Sequence, residues 1–255
     1  MSYLKKLIPY TLSFMVLSTT VSANAAETGS TYVYQHPQNQ DQANLAKWQA
    51  GTKVQPASIT TFGIDRCFNI EKIGQSLFKR IYKKSYKADC NIPLDSLRYL
   101  KVLHYNAQKE ICLGELICHY SISKDLISIF KELFNAKYPI ERMVLIDNYN
   151  ADDETSMQAN NTSCFNFRKV AGTKSLSKHS LGKAIDINTK YNPCVKRRNG
   201  KTICQPVTGR AYIDRSKDFP YKIDENDLCY KLFTQHGFTW GGHWRSLKDY
   251  QHFEK

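Results

Sequence analysis

The sequence predicts an α+β domain, and two kinds of pattern predict it. Apolar residues recur at helical spacing in four stretches, and three short apolar runs lie among them. The chain has 255 residues and 42% hydrophobic content, enough for one sizeable domain or at most two small ones. That composition excludes wholesale disorder, and no internal repeat is visible.

The N-terminus reads as a targeting segment. Lys5 and Lys6 give a positive start, and Leu7 to Leu17 is mostly apolar, interrupted by Pro9, Thr11 and Ser13. Ser-Ala-Asn-Ala-Ala follows at 22–26, and Ala23-x-Ala25 fits the small-residue cleavage rule. Residues 1–25 are therefore expected to be a signal peptide, with Ala26 as the alternative cleavage point. The apolar run is short for a membrane span, which needs about 20 residues. Export to the periplasm or the medium is the expectation.

Residues 26–60 are rich in Gln, Asn, Thr, Ala and Gly, and read as a flexible extension with little core. Residues 61–255 are expected to form the functional domain. Ile70, Ile73, Leu77 and Ile81 predict a helix within 64–88. Pro93 starts a second predicted helix, with Leu94, Leu97, Leu100 and Leu103 inward. Gly114–Tyr120 reads as a strand. Ser123–Ala136 reads as an amphipathic helix stopped by Tyr138-Pro139. Met143–Ile146 reads as a strand, 147–164 as a polar loop, and Ala184–Ile187 as a short strand. Asn226–His236 reads as a helix closed by Gly237.

Eight cysteines follow position 60: Cys67, Cys90, Cys112, Cys118, Cys164, Cys194, Cys204 and Cys229. An even count in an exported chain suggests disulfides. The one local expectation is Cys194 with Cys204, across a hairpin turning at Asn199-Gly200. No C-x-x-C pair occurs, which argues against a cysteine-ligated zinc.

Lys and Arg outnumber Asp and Glu by 36 to 23, a formal charge of +13, and removing Lys5 and Lys6 lowers it by two. Such a surface favours polyanions. No nucleic-acid motif accompanies the charge, so an anionic wall polymer or membrane surface is the expected partner of a monomer. A solvated basic face without a partner is the plain alternative.

Three segments of the C-terminal half carry the chemistry. They are Ser177-Lys-His179-Ser-Leu-Gly182-Lys-Ala184-Ile-Asp186-Ile-Asn188, Gly237-Phe-Thr-Trp240-Gly241-Gly242-His243-Trp244, and Asp249-Tyr-Gln-His252-Phe253. In the first, Gly182 and Ala184 let the chain fold closely between His179 and Asp186. With His252 the set is two imidazoles and one carboxylate, a ligand count suited to catalytic zinc with a fourth position open. Asp249 remains as a nearby carboxylate. Single residues of these types are usually structural, and His104, His119 and His236 are read as packing or surface residues. Only the joint pattern points to a metal.

The string S-x-H-x-x-G-x-A-x-D, followed by G-F-x-W-G-G-x-W and D-x-x-H-F, resembles the zinc D-alanyl-D-alanine carboxypeptidase family. That family includes vancomycin-resistance carboxypeptidases, D-Ala-D-Ala dipeptidases and the L-alanyl-D-glutamate peptidases of endolysins. Residues 147–153 and 160–168 also resemble a branch of it. The likeness runs from about 65 to 255. It implies a small α+β domain with a short antiparallel sheet carrying zinc and flanking helices. It implies His179, Asp186 and His252 as zinc ligands, Asp249 as the acid/base and Arg168 as the group stabilising the substrate carbonyl. Ser177, Trp240 and Trp244 are candidates for lining the substrate site, with core packing as the other reading of the tryptophans. His243 stands where the family more often has an acidic or small residue. The implied substrate is the peptidoglycan stem peptide, cut at D-Ala-D-Ala or within the stem. A zinc-bearing wall-binding protein without turnover is the non-enzymatic alternative.

Overall fold

Two helices, α1 (Pro37–Lys47) and α2 (Pro56–Phe62), open the structure, a computed structural model that describes residues 37–170 and 172–255. The expected signal peptide lies outside the described residues. Residues 37–60, read from composition as an extension with little core, instead bury Leu45, Trp48, Val54 and Ile59. Four apolar side chains are enough to hold them down, and backbone bonds add to this. Gly51 N–H donates to Leu113 at 2.8 Å and Val54 N–H to Ile111 at 3.0 Å.

The edge those residues join belongs to a sheet of β1 (Asn69–Lys72), β2 (Leu97–Tyr105) and β3 (Ile111–His119), antiparallel in that order. Two sequence expectations fail here. The predicted helix from Pro93 is mostly β2. Leu97, Leu100 and Leu103 do fall at helical spacing, but Tyr99 and Val102 between them, and His104 after them, are buried as well. A central strand covered on both faces gives a continuous apolar run that no period describes. The predicted helix over 64–88 is divided. Residues 69–72 pair with β2, Asn69 opposite Lys101, which leaves a 3-10 turn at Ile64–Cys67 and the α-helix α3 (Gln75–Ile81) on either side. Gly74 takes an extended conformation between the two, and the open edge of β2 overrides local propensity.

Helix α4 (Tyr120–Asn135) fits its expected place, with Ile122, Leu126, Ile129, Phe130 and Leu133 buried. Its side chains pack on the sheet, Phe134 stacking on Tyr105 at 5.0 Å. Of the strand expected over Met143–Ile146, residues 143–145 form no strand and Ile146 begins a 3-10 turn, Ile146–Tyr149. Glu115 N–H of β3 donates to Met143 C=O at 3.0 Å, and at Val144 the partner is a side chain: Asn161 accepts from Val144 N–H and donates to Val144 C=O, both at 3.0 Å. The loop expected over 147–164 contains a short helix, α5 (Asp153–Gln158), capped by Asp152.

Two further antiparallel sheets follow. Strands β4 (Ala184–Asp186), β5 (Cys194–Arg198) and β6 (Lys201–Gln205) precede helix α6 (Leu228–Gln235), then come β7 (Thr239–Trp240), β8 (Lys248–Asp249) and β9 (His252–Glu254). One sheet runs β4-β9-β7 and the other β6-β5-β8. Asp227 caps α6, and Gly237 follows it at φ 79°, as the sequence predicts. The β5–β6 hairpin turns at Asn199-Gly200, as predicted, but all eight cysteines are free thiols. The register sets Cys194 opposite Gln205 and Cys204 opposite Val195. A one-residue offset puts Cys194 and Cys204 on opposite faces, so the expected bond between them does not form. Among the described residues no helix is long and apolar enough to cross a membrane.

Candidate metal centre

The first motif folds into a turn and a strand. Ser177 Oγ accepts from His179 N–H at 3.2 Å, capping the single turn Lys178–Leu181. Gly182 ends that turn at φ 64°. A Cβ there would lie 2.7 Å from the backbone nitrogen of His119, so a side chain has no room. His119 N–H donates to Gly182 C=O at 2.8 Å, tying the turn to the end of β3. The chain then enters β4, where Asp186 stands directly opposite His252 of β9. The strand register thus brings the third motif to the first.

His179, Asp186 and His252 converge as buried groups, and their ligand atoms lie within 4.8 Å of one another. His179 Nε2 is 3.2 Å from Asp186 Oδ2, and His252 Nδ1 is 3.0 Å from Asp186 Oδ1. The two imidazole nitrogens are 3.2 Å apart. Each ring is held from behind. His179 Nδ1 donates to Cys164 C=O at 2.6 Å, and His252 Nε2 donates to Glu254 Oε2 at 3.1 Å. Those bonds select the inward atoms, Nε2 of His179 and Nδ1 of His252.

The electrostatics suit a cation. Burial opposes the Asp186 charge, but His179 and His252 hold its carboxyl well below the usual carboxylate range. Burial also pulls His252 down, yet Asp186 and Glu254 outweigh it and push the imidazole up to about 10. The carboxylates that raise His252 would equally favour a bound dication.

Asp249 lies at the end of β8, opposite Cys194 of β5. Its Oδ1 is buried without a hydrogen-bond partner. Burial first, and the Asp186 charge second, raise its pKa to about 6, against the pull of His252, His179 and the Cys194 thiol. The second motif supplies the clearance. A Cβ on Gly241 would lie 2.6 Å from Asp249 O and 3.2 Å from His252 Cβ, and one on Gly242 would lie 2.4 Å from the Trp240 ring.

The remaining candidates divide. Trp244 is partly exposed with its ring 5.0 Å from that of His252, so it can wall the site. Trp240 is buried, its indole N–H donates to Tyr250 C=O at 2.9 Å, and it supports the Gly-Gly segment from behind. Ser177 is buried too, and its hydroxyl serves the turn, which places it beneath the ligand His179 rather than toward a substrate. Arg168 brackets the same turn, its N–H donating to Ser180 Oγ at 2.7 Å. Its guanidinium pairs with Asp153 of α5, and among the described contacts none links it to the three ligands. His243 is exposed and pairs with Glu225 at 3.0 Å. His104 is buried against Ile140, His119 caps α4, and His236 pairs with Asp125. All three are structural, as expected.

Glu254, Asp153 and the Cys164 carbonyl were not singled out from the sequence. Only Glu254 left a signal, sitting two residues after His252 and so on the same face of a strand.

Two imidazoles and a carboxylate, dry, converging and held from behind, fit zinc, and the unpartnered Asp249 oxygen beside them fits an acid/base. Such a set is what the metal site of a metallopeptidase requires. Residues 171–255 match the D-alanyl-D-alanine carboxypeptidase family, a zinc peptidase family. The matched stretch contains His179, Asp186, His252, Asp249, Ser177, Trp240 and Trp244, whereas Arg168 precedes it. Neither a curated protein nor a solved structure matches the chain.

Proposed function

We propose that this protein is an exported zinc peptidase that hydrolyses a peptide bond of the peptidoglycan stem peptide, in the manner of a D-Ala-D-Ala carboxypeptidase. The observation that carries the reading is the buried His179–Asp186–His252 cluster with the unpartnered carboxylate of Asp249 beside it. A pure binder has no use for that carboxylate. Export rests on the Lys5-Lys6 start, the apolar run and the Ala23-x-Ala25 site. The charge of +13 suits an anionic wall or membrane surface.

His179 Nε2, the Asp186 carboxylate and His252 Nδ1 would hold the ion. A zinc ion held there would supply Lewis acidity and make a nearby water more acidic. Asp249 takes the proton of the attacking water and returns it to the leaving amine. Burial suits it to both halves of that cycle, since a carboxyl poised near neutrality can accept and donate. Arg168 is assigned to the carbonyl oxygen, with Asp153 fixing its guanidinium. Trp244 shields one side of the centre from solvent.

The test is product analysis. Zinc-loaded protein is incubated with a stem pentapeptide, and the products are weighed by mass spectrometry. Release of D-alanine is expected. Cleavage inside the stem would redirect the reading to an endopeptidase of the L-Ala-D-Glu type. Intact peptide and intact sacculi would leave a wall-binding protein.

A further inference from the structure

The sheet β6-β5-β8 carries more than Asp249. Residues directly opposite in an antiparallel pair share a face, and the face alternates along each strand. Asp249 is opposite Cys194, Lys196 is opposite Ile203, and Arg198 is opposite Lys201. Asp249, Cys194, Lys196, Arg198 and Lys201 therefore all stand on one face. The other face carries the buried Cys204, paired with Val195, and the exposed Arg197.

The three cations are exposed, and among the described residues none of them has a carboxylate within ion-pair distance. A strand rises about 3.4 Å per residue, so Lys196 and Arg198 stand about 7 Å and about 14 Å from Cys194 along β5. An extended peptide rises by nearly the same amount. With its reacting bond at Asp249, such a peptide would bring groups two and four residues away alongside these side chains.

We propose that the β5–β6 hairpin is a substrate-reading arm whose Lys196, Arg198 and Lys201 take free carboxylates of the bound peptide. The inference rests on the peptidase reading and adds its specificity: an acidic peptide is preferred over the same peptide with its carboxylates blocked. Guanidinium and ammonium groups on a solvent-facing sheet attract carboxylates without first breaking an internal pair. Position relative to the centre favours substrate over a distant polymer, because the cations continue the face that bears the acid/base.

The experiment measures binding, so that turnover does not enter. Zinc-loaded Asp249→Asn protein is titrated calorimetrically with a stem pentapeptide ending in D-Ala-D-Ala, and with the same peptide amidated at its side carboxylates. The combined variant Lys196→Gln, Arg198→Gln, Lys201→Gln is compared with Arg197→Gln, which alters the opposite face. The triple variant should weaken the acidic peptide about tenfold and the amidated one less than twofold. Tenfold is about 1.4 kcal/mol, roughly 0.5 per cation, the usual worth of an exposed pair. Arg197→Gln should change neither.

Equal affinities of the triple variant and its parent for the acidic peptide overturn the arm. So does a loss confined to retention on phosphate-rich wall polymer, which would make the hairpin a wall anchor instead. Failure of the peptidase reading appears elsewhere, as absence of turnover by protein with Asp249 intact, and leaves the binding comparison to decide the arm.

Discussion

Glu254 accepts a hydrogen bond from His252 Nε2 at 3.1 Å, on the side of the ring away from Asp186. The carboxylate fixes which imidazole nitrogen faces the centre and increases its basicity. Glu254→Gln keeps the size and loses the charge. It should lower zinc affinity by roughly 10–100-fold while leaving the fold intact. Competition against a chelating dye, with circular dichroism alongside, measures both. Unchanged affinity would reduce Glu254 to a strand-end residue.

Gly241 lets β8 and β9 approach the turn that bears it. Its missing Cβ would lie 2.9 Å from Asp249 Cβ and 3.2 Å from His252 Cβ. Gly241→Ala must therefore move Asp249 and His252 together. We expect lower zinc content and lower peptidase activity, with a stability loss of about 1–3 kcal/mol from overpacking. Gly200→Ala serves as the control, because nothing lies within 4 Å of a Cβ built at that hairpin turn. Its strain comes only from the positive φ of 73°. It should keep full zinc. A Gly241→Ala protein with normal zinc content and turnover would contradict the proposed packing.

The site was more legible than the fold around it. His179 and Asp186 lie within one short segment, and His252 joins them through the β4–β9 register, so three motifs sufficed. Legibility ended where long-range pairing decides. Nothing local says that residues 97–105 are a strand buried on both faces, or that the edge of β2 recruits residues 69–72. Nor does the local text show that Asn161 replaces a strand partner for Val144, or that residues 51–54 bond to β3. The Cys194–Cys204 expectation failed by a single residue of register, which reverses the face. Composition also concealed the four buried apolar residues of 37–60, because polar neighbours dilute them.

His104 should make the fold sensitive to acid. Burial pushes its pKa down to about 4, only partly opposed by hydrogen bonds to the Ile140 and Tyr105 backbone. The unfolded chain takes up a proton near 6.5, whereas the folded chain refuses it until about pH 4. Stability from this group is thus full above pH 6.5 and falls as pH drops toward 4, by on the order of 3 kcal/mol in all. Urea unfolding of chelator-treated protein at pH 7 and pH 4.5 gives the slope. His104→Asn lacks the titrating group and should lose roughly 2–3 kcal/mol less between those pH values. Identical slopes would show that His104 accepts its proton in the folded state.

Asp249→Asn separates the metal ligands from the acid/base. The amide keeps the shape of the carboxylate but cannot take a proton. The unpartnered Oδ1 of Asp249 and a pKa raised to about 6 by burial and the Asp186 charge suit a group that exchanges protons. If Asp249 moves the proton, the variant should retain zinc and lose roughly 10²–10⁴-fold in turnover of a stem peptide. If it were a fourth ligand, zinc content would fall along with the rate. We expect the first outcome because His179, Asp186 and His252 already converge within 4.8 Å, and another protein ligand would close the position that water needs. The two quantities, metal by elemental analysis and rate by released D-alanine, are measured on the same preparation. Wild-type turnover with full zinc would remove Asp249 from the mechanism and leave the metal centre standing.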